Sequence, residues 1–235
     1  VIQNEYLAFL VTIIVAVSWL RLIDFLAAKG VFPSEISRKI IHIGTGPIFV
    51  LCWLLFPDKI LSRYLAAIIP FLITAQFFLV GMGLMKDEEA VNAMSRSGDR
   101  REILRGPLLY GVVFIIMTIL YWRDSPIGII SLLILCGGDG MADLIGSKSG
   151  RNKLPWSKLK SWQGSIAMLI GASLLIGIVL FVFYVSGYTF DGINTKWYSL
   201  LVIIFVSTIV ESLPTGDFDN LFVPLSAIIM SYLLI

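Results

Sequence analysis

Residues Gln163–Ser186 read QGSIAMLIGASLLIGIVLFVFYVS, an unbroken apolar stretch without one formal charge. As a helix rising 1.5 Å per residue it is long enough to cross the ~30 Å of hydrocarbon in a bilayer. Seven further apolar runs stand on either side: Tyr6–Ala28, Ile40–Phe56, Tyr64–Met85, Pro107–Tyr121, Pro126–Leu144, Trp197–Ser212 and Leu221–Ile235. Backbone groups in lipid must be satisfied internally, so the choice is between helices and a closed barrel. Continuous apolar runs exclude the ten-residue alternation of a barrel. The expected fold is therefore all-α, a polytopic transmembrane bundle of about eight segments (seven to nine), forming one domain over residues 1–235. The fourth and eighth runs are short enough to be tilted, re-entrant or partly interfacial.

Composition agrees. The 235 residues are 57% hydrophobic and 14% charged, with a mean hydropathy of +0.89. Soluble domains carry roughly 25% charged residues, so a soluble enzyme and a disordered chain are both excluded. The formal charge of +2 is spread between apolar runs and forms no nucleic-acid stripe. Cys52 and Cys136 lie inside apolar runs and read as small buried hydrophobes. With one histidine beside them there is no zinc constellation. The chain starts at Val1, which leaves room for a leader. Glu5 and the lack of a basic flank argue against reading the first run as a cleavable signal.

Loop charge orients the bundle. The connections 29–39, 86–105 and 145–162 hold thirteen basic residues, including Lys29, Lys86, Arg96 and Lys158, while the opposite face holds only Lys59, Arg63, Arg123 and Lys196. That bias places the basic loops on the cytoplasmic side, or the stromal side in a plastid.

The chemistry concentrates at that basic face, in LCGGDGMADLIGSKSGRNKLPWSKLKSWQGSIAM, residues 135–168. Asp139 and Asp143 are four residues apart and share a helical face. A carboxylate in the membrane costs about 2.5–3.5 kcal/mol on insertion scales, so something positive should offset the pair. Mg²⁺, which is typically held by one or two carboxylates together with substrate phosphates, fits; pairing with Arg or Lys from another helix is the structural alternative. Gly138, Gly140, Gly146 and Gly150 allow close backbone approach. Lys148, Lys153, Lys160, Ser161, Gly164 and Ser165 supply charges, hydroxyls and a helix N-terminus for phosphate, although the lysines also suit ordinary loop charge. The spacing is not that of a P-loop.

Two smaller clusters accompany it. Arg38, Lys39 and His42 point the same way at the start of the second run, where His42 reads either as a general base or phosphate contact or as a satisfied interfacial residue. Glu211, Asp217, Asp219 and Asn220 close the seventh run and open the eighth, and could hold a second metal, receive a hydroxyl proton or cap a helix. The polar 86–105 connection reads as a surface helix on anionic headgroups, with Arg105 at the membrane edge.

Taken together, Arg38-Lys39-x-x-His42, Arg105-Gly106-Pro107, Gly138-Asp139-Gly140-x-Ala142-Asp143-x-x-Gly146, Lys160-Ser161-x-x-Gly164-Ser165 and Glu211…Asp219-Asn220 resemble the polyprenol kinase family. The compact length and the Lys153-Leu154-Pro155 context are most similar to its phytol kinases; dolichol kinases share the motifs but are usually longer. The resemblance covers residues 35–235. It implies an integral membrane kinase that moves the terminal phosphate of CTP (or UTP) to phytol or a related isoprenoid alcohol such as geranylgeraniol, with Mg²⁺, in phytol salvage towards tocopherol. The implied partners are the bilayer, the alcohol and the nucleotide, with no nucleic acid and no obligatory protein partner. The implied setting is a cell, thylakoid or plastid membrane of a photosynthetic organism. On this reading Asp139 and Asp143 hold Mg²⁺, the basic residues, Ser161, Ser165 and Asn220 meet the nucleotide, and His42, Glu211 or Asp219 takes the alcohol proton. A membrane cytidylyltransferase and a small-solute transporter are the rival readings; for transport, no internal repeat is visible.

Overall fold

The computed structural model describes the chain except Arg96, Asp191, Gly192, Asn194 and Thr195 and the side chains of Asp24, Ser34, Glu35, Asn92, Ala93 and Asp217. Arg96 and the Asp217 side chain, both singled out in the sequence, thus lie outside the described residues.

The helices are α1 (Glu5–Ala28), α2 (Ser34–Cys52), α3 (Ile60–Met82), α4 (Glu88–Met94), α5 (Gly106–Leu120), α6 (Pro126–Leu133), α7 (Gly140–Ser149), α8 (Trp162–Val185), α9 (Trp197–Ser212) and α10 (Asp219–Leu234). Among the described residues, six continuous helical stretches are long and apolar enough to cross a membrane, and α9 and α10 are shorter apolar helices. At 16 residues each, these two reach about 24 Å, short of the full hydrocarbon thickness. The fourth run is longer than its sequence suggests, because a 3₁₀ turn over Arg100–Leu104 leads into α5 and makes one stretch from Arg100 to Leu120.

The bundle is organised around α6 and α7, joined by a π-helical turn over Ile134–Asp139. Of its most apolar window 72% is buried, against 17% for α1, which makes one the centre and the other the rim. Ile129, Ile130, Leu132, Leu133, Ile134, Leu135 and Cys136 have no exposed surface, as expected for a helix apolar on every side. Helix α8 packs along α7, α10 along α6, and α2 crosses the π turn. That crossing is close: a Cβ on Gly46 would stand 2.2 Å from the Cys136 sulfur, and one on Gly140 would stand 2.5 Å from Ile43. Only glycine lets α2 come so near the central helix.

One element was not foreseen. The 145–162 connection folds into an antiparallel hairpin, β1 (Lys153–Leu154) with β2 (Ser157–Ser161). Its turn residue Trp156 donates its indole N–H to the carbonyl and hydroxyl of Ser212, at 3.2 and 3.1 Å. The hairpin is thereby docked on the last residue of α9. In the 86–105 connection, α4 is capped by Asp87, whose carboxylate accepts the Ala90 N–H at 2.9 Å.

Candidate active site

Trp156 holds the hairpin beside the end of α9, and β2 therefore delivers Lys160 to Glu211. The Lys160 ammonium donates to Glu211 at 2.6 Å and to Asp219, at the start of α10, also at 2.6 Å. Thr215 donates its hydroxyl to Asp219. Asp139, from the end of the π turn, joins them: one oxygen from each of Asp139, Glu211 and Asp219 lies within 4.8 Å of the others. Glu211 and Asp219 are 4% and 8% exposed. Burial pulls the Lys160 ammonium down, but the Glu211, Asp139 and Asp219 carboxylates outweigh it, so its pKa stands above the ordinary lysine range.

Three carboxylates around one ammonium leave excess negative charge in a partly buried place, an arrangement that a hard divalent cation would relieve. The two carboxylates expected to share a metal have different neighbours. Asp139 lies with Glu211 and Asp219, 72 and 80 residues further along the chain. Asp143, half exposed, pairs instead with Lys39 at 3.3 Å. Lys39 also donates to the Asp143 carbonyl at 3.1 Å and the Ser147 hydroxyl at 2.5 Å, so α2 is laced to α7 by a cation from another helix.

His42, one turn beyond Lys39, brings Nε2 to 3.7 Å from Asp139. That is too long for a hydrogen bond, and this buried nitrogen has no hydrogen-bond partner among the described residues. Tyr110 of α5 stacks on the His42 ring, with centroids 4.5 Å apart, and donates its hydroxyl to the His42 carbonyl at 3.1 Å. Sequence reasoning missed Tyr110; its only signal was a position one helical turn after Gly106-Pro107.

Except for Thr215, these groups open on one cavity of about 930 Å³. Its polar end is lined by Arg38, Lys39, His42, Asp139, Gly140 and Asp143, by Gly146, Lys148, Gly150, Lys153, Lys160 and Ser161, and by Gly164, Ser165, Glu211, Asp219 and Asn220. Arg105, Gly106 and Pro107 complete the rim. The hydroxyl oxygen of Ser165 is buried with no partner among the described residues, as befits a donor meant for a ligand. Several residues also have structural partners. Ser161 caps α8 by accepting the Gly164 N–H at 3.2 Å, Arg38 donates to the Ser95 carbonyl at 3.2 Å, and Asn220 donates to the Gly106 carbonyl at 3.1 Å. Lys153 donates to the Leu159 carbonyl at 3.2 Å. Gly138 is placed elsewhere, against Met168 and Ala172 of α8, where a Cβ would meet them at 3.2 and 3.4 Å; its smallness serves helix packing. Lys158 is exposed and outside the cavity.

Fold and site together define an integral membrane protein with a lysine-bridged carboxylate cluster at the end of its helices, open to an apolar interior. Comparison with known proteins gives the family. The chain is 39% identical over 221 residues to a wheat (Triticum aestivum) protein named as a probable chloroplastic phytol kinase, covering 93% of this chain and 74% of that one. It is 39% identical over 235 residues to the chloroplastic farnesol kinase of Arabidopsis thaliana, covering 99% and 76%. It is 38% identical over 213 residues to phytol kinase 1 of the same plant, covering 89% and 70%. The chain belongs to the phytol and farnesol kinase family. No family model matches it, and no solved structure does.

Proposed function

We propose that this protein transfers the terminal phosphate of CTP or UTP to phytol, or to a related long-chain isoprenoid alcohol such as geranylgeraniol, with Mg²⁺. The observation that carries the reading is the continuity of one cavity. A cluster of lysines, arginine and carboxylates at its outer end runs without a break into an apolar interior. The reaction has the same duality, a charged nucleotide arriving from water and a greasy alcohol from the bilayer. The names of the plant relatives support the acceptor class.

Phosphoryl transfer asks mainly for positioning and charge stabilisation. Lys148, Lys153, Lys160 and Arg38 lie where they meet the phosphates, and Ser165 offers its free hydroxyl to a phosphate oxygen. Asp139, Glu211 and Asp219 are the residues that would hold Mg²⁺, with Asp143 further out beside Lys39. When bound, the metal supplies positive charge to the triphosphate. The alcohol oxygen attacks the γ phosphorus, the bond from that phosphorus to the β-bridging oxygen breaks, and the nucleoside diphosphate leaves. The hydroxyl proton passes to Nε2 of His42, which stands where the cluster meets the apolar interior. All eight apolar helices cross or dip into the bilayer, with the basic end on the cytoplasmic or stromal face.

The test uses purified protein in lipid with Mg²⁺, phytol and CTP labelled at either the α or the γ phosphate. Label appearing in the lipid only from the γ position is the expected result. Transfer of the α label instead would replace the kinase reading with nucleotidyl transfer.

A further inference from the structure

The inner part of the cavity has a direction and an end. Four helices line it, each with a stripe that starts at the polar rim and stops at a similar depth. On α1 the stripe runs inward from Leu20 to Thr12, on α2 from His42 to Cys52, on α3 from Phe77 to Ile69, and on α5 from Gly106 to Phe114. Eight to ten residues at 1.5 Å each make an arm about 12–15 Å deep, roughly half of the ~30 Å hydrocarbon core. Its last residues are sealed: Thr12 is 1% exposed, Cys52 5%, Ile69 7% and Phe114 3%. Beyond Cys52, Trp53 packs on Trp122 with ring centroids 5.2 Å apart, and the cavity-lining Phe49 meets Trp53 edge-on at 6.0 Å. Midway along the arm Ile73 lines the cavity and is 37% exposed.

We propose that this arm binds the isoprenoid tail of the acceptor and that Thr12, Cys52, Ile69 and Phe114 form a floor that selects tails by length. The inference rests on the proposed kinase reading for its ligand, and on the closed depth of the arm for its content. Nothing at the floor is charged, and the Thr12 hydroxyl is occupied, donating to the Ala8 carbonyl at 2.8 Å. The floor thus offers an unbranched or methyl-branched hydrocarbon end only apolar contact, and discriminates by volume.

Farnesol and geranylgeraniol differ by one isoprene unit at the end that would reach the floor. In lipid nanodiscs, Ile69→Ala is expected to raise the ratio of kcat/KM for geranylgeraniol over farnesol by about tenfold, the scale of volume discrimination in an apolar pocket. Cys52→Leu is expected to lower the same ratio. Unchanged ratios in both folded variants would overturn the proposal. Cys52 is also a native probe that needs no activity. Methyl methanethiosulfonate, followed by peptide mass analysis, should modify Cys52 in the alcohol-free protein, and an alcohol whose tail reaches the floor, farnesol or geranylgeraniol, should protect it. A Cys52 that never reacts, or that no alcohol protects, would equally overturn the floor. Protection without phosphorylation of any alcohol would leave the floor standing and remove the kinase reading.

Discussion

The two ends of the bundle each bury an ionic group, and they treat it in opposite ways. At the basic end, Lys160 stands among three carboxylates in an open cavity, with more negative than positive charge within reach. At the other end, Arg123 is 2% exposed and pinned. It donates to the carbonyls of Trp53 and Phe56 at 3.3 and 2.5 Å and pairs at 3.4 Å with an almost fully exposed Asp58. Its guanidinium also lies 5.9 Å from the Trp122 ring and 5.6 Å from the Tyr188 ring. The turn that places it holds Trp122 at φ 44°, a left-handed conformation that costs a side-chain-bearing residue roughly 1–2 kcal/mol. A fold tolerates that where packing repays it. Arg123 is pinned through both terminal nitrogens and two rings and holds structure together, whereas the Lys160 cluster is left with charge to spare and is poised for a ligand.

The sharpest way to break this contrast is Asp139→Asn. It removes one carboxylate from the excess and should lower turnover by about a hundredfold or more, the scale for a group that stabilises transition-state charge. The protein should remain folded by thermal unfolding in detergent; full activity in folded Asp139→Asn protein would sink the metal assignment. Arg123→Ala should do the reverse. Stripping carbonyls and rings of a buried cation should cost about 3–5 kcal/mol of stability, seen as a lowered unfolding temperature, while turnover per folded molecule stays close to that of the parent.

Lys160→Met sharpens the contrast from the other side. Without the ammonium the three carboxylates repel, so the variant should unfold at lower temperature in EDTA and recover much of the loss on adding Mg²⁺. The same addition should move the parent less. The smallest effect belongs to Asp58→Asn, because an exposed partner contributes little to a screened pair; neither unfolding temperature nor turnover should change measurably.

Much of the architecture was legible along the chain, and the reason is the bilayer. A solvent that offers no hydrogen bonds forces helices wherever about twenty apolar residues run together, and Gln163–Ser186 has no other solution. The motif residues were legible as well, because glycines, carboxylates and lysines are conspicuous between such runs. Their pairing was not. The four-residue spacing of Asp139 and Asp143 pointed to a shared metal, yet Asp143 is held by Lys39, and Asp139 finds its neighbours on α9 and α10. Gly138 sits in the same motif as Asp139 and turns out to pack helices. Tyr110 was missed because, its place one turn after Gly106-Pro107 aside, a tyrosine in an apolar run reads as an ordinary core residue.

What the sequence by itself determined is an all-helical membrane protein, its basic end and the inventory of reactive groups there. Those properties depend on local composition, which the solvent reads directly. Only the tertiary structure decided which groups meet. Trp156 docks a hairpin on Ser212 and so carries Lys160 to Glu211. Glycines at positions 46 and 140 let α2 close on the central helix and set His42 beside Asp139. Four stripes end at one depth to make the arm. Each is a contact between segments far apart in the chain, specified by packing of complementary shapes, and no local pattern of residues encodes it.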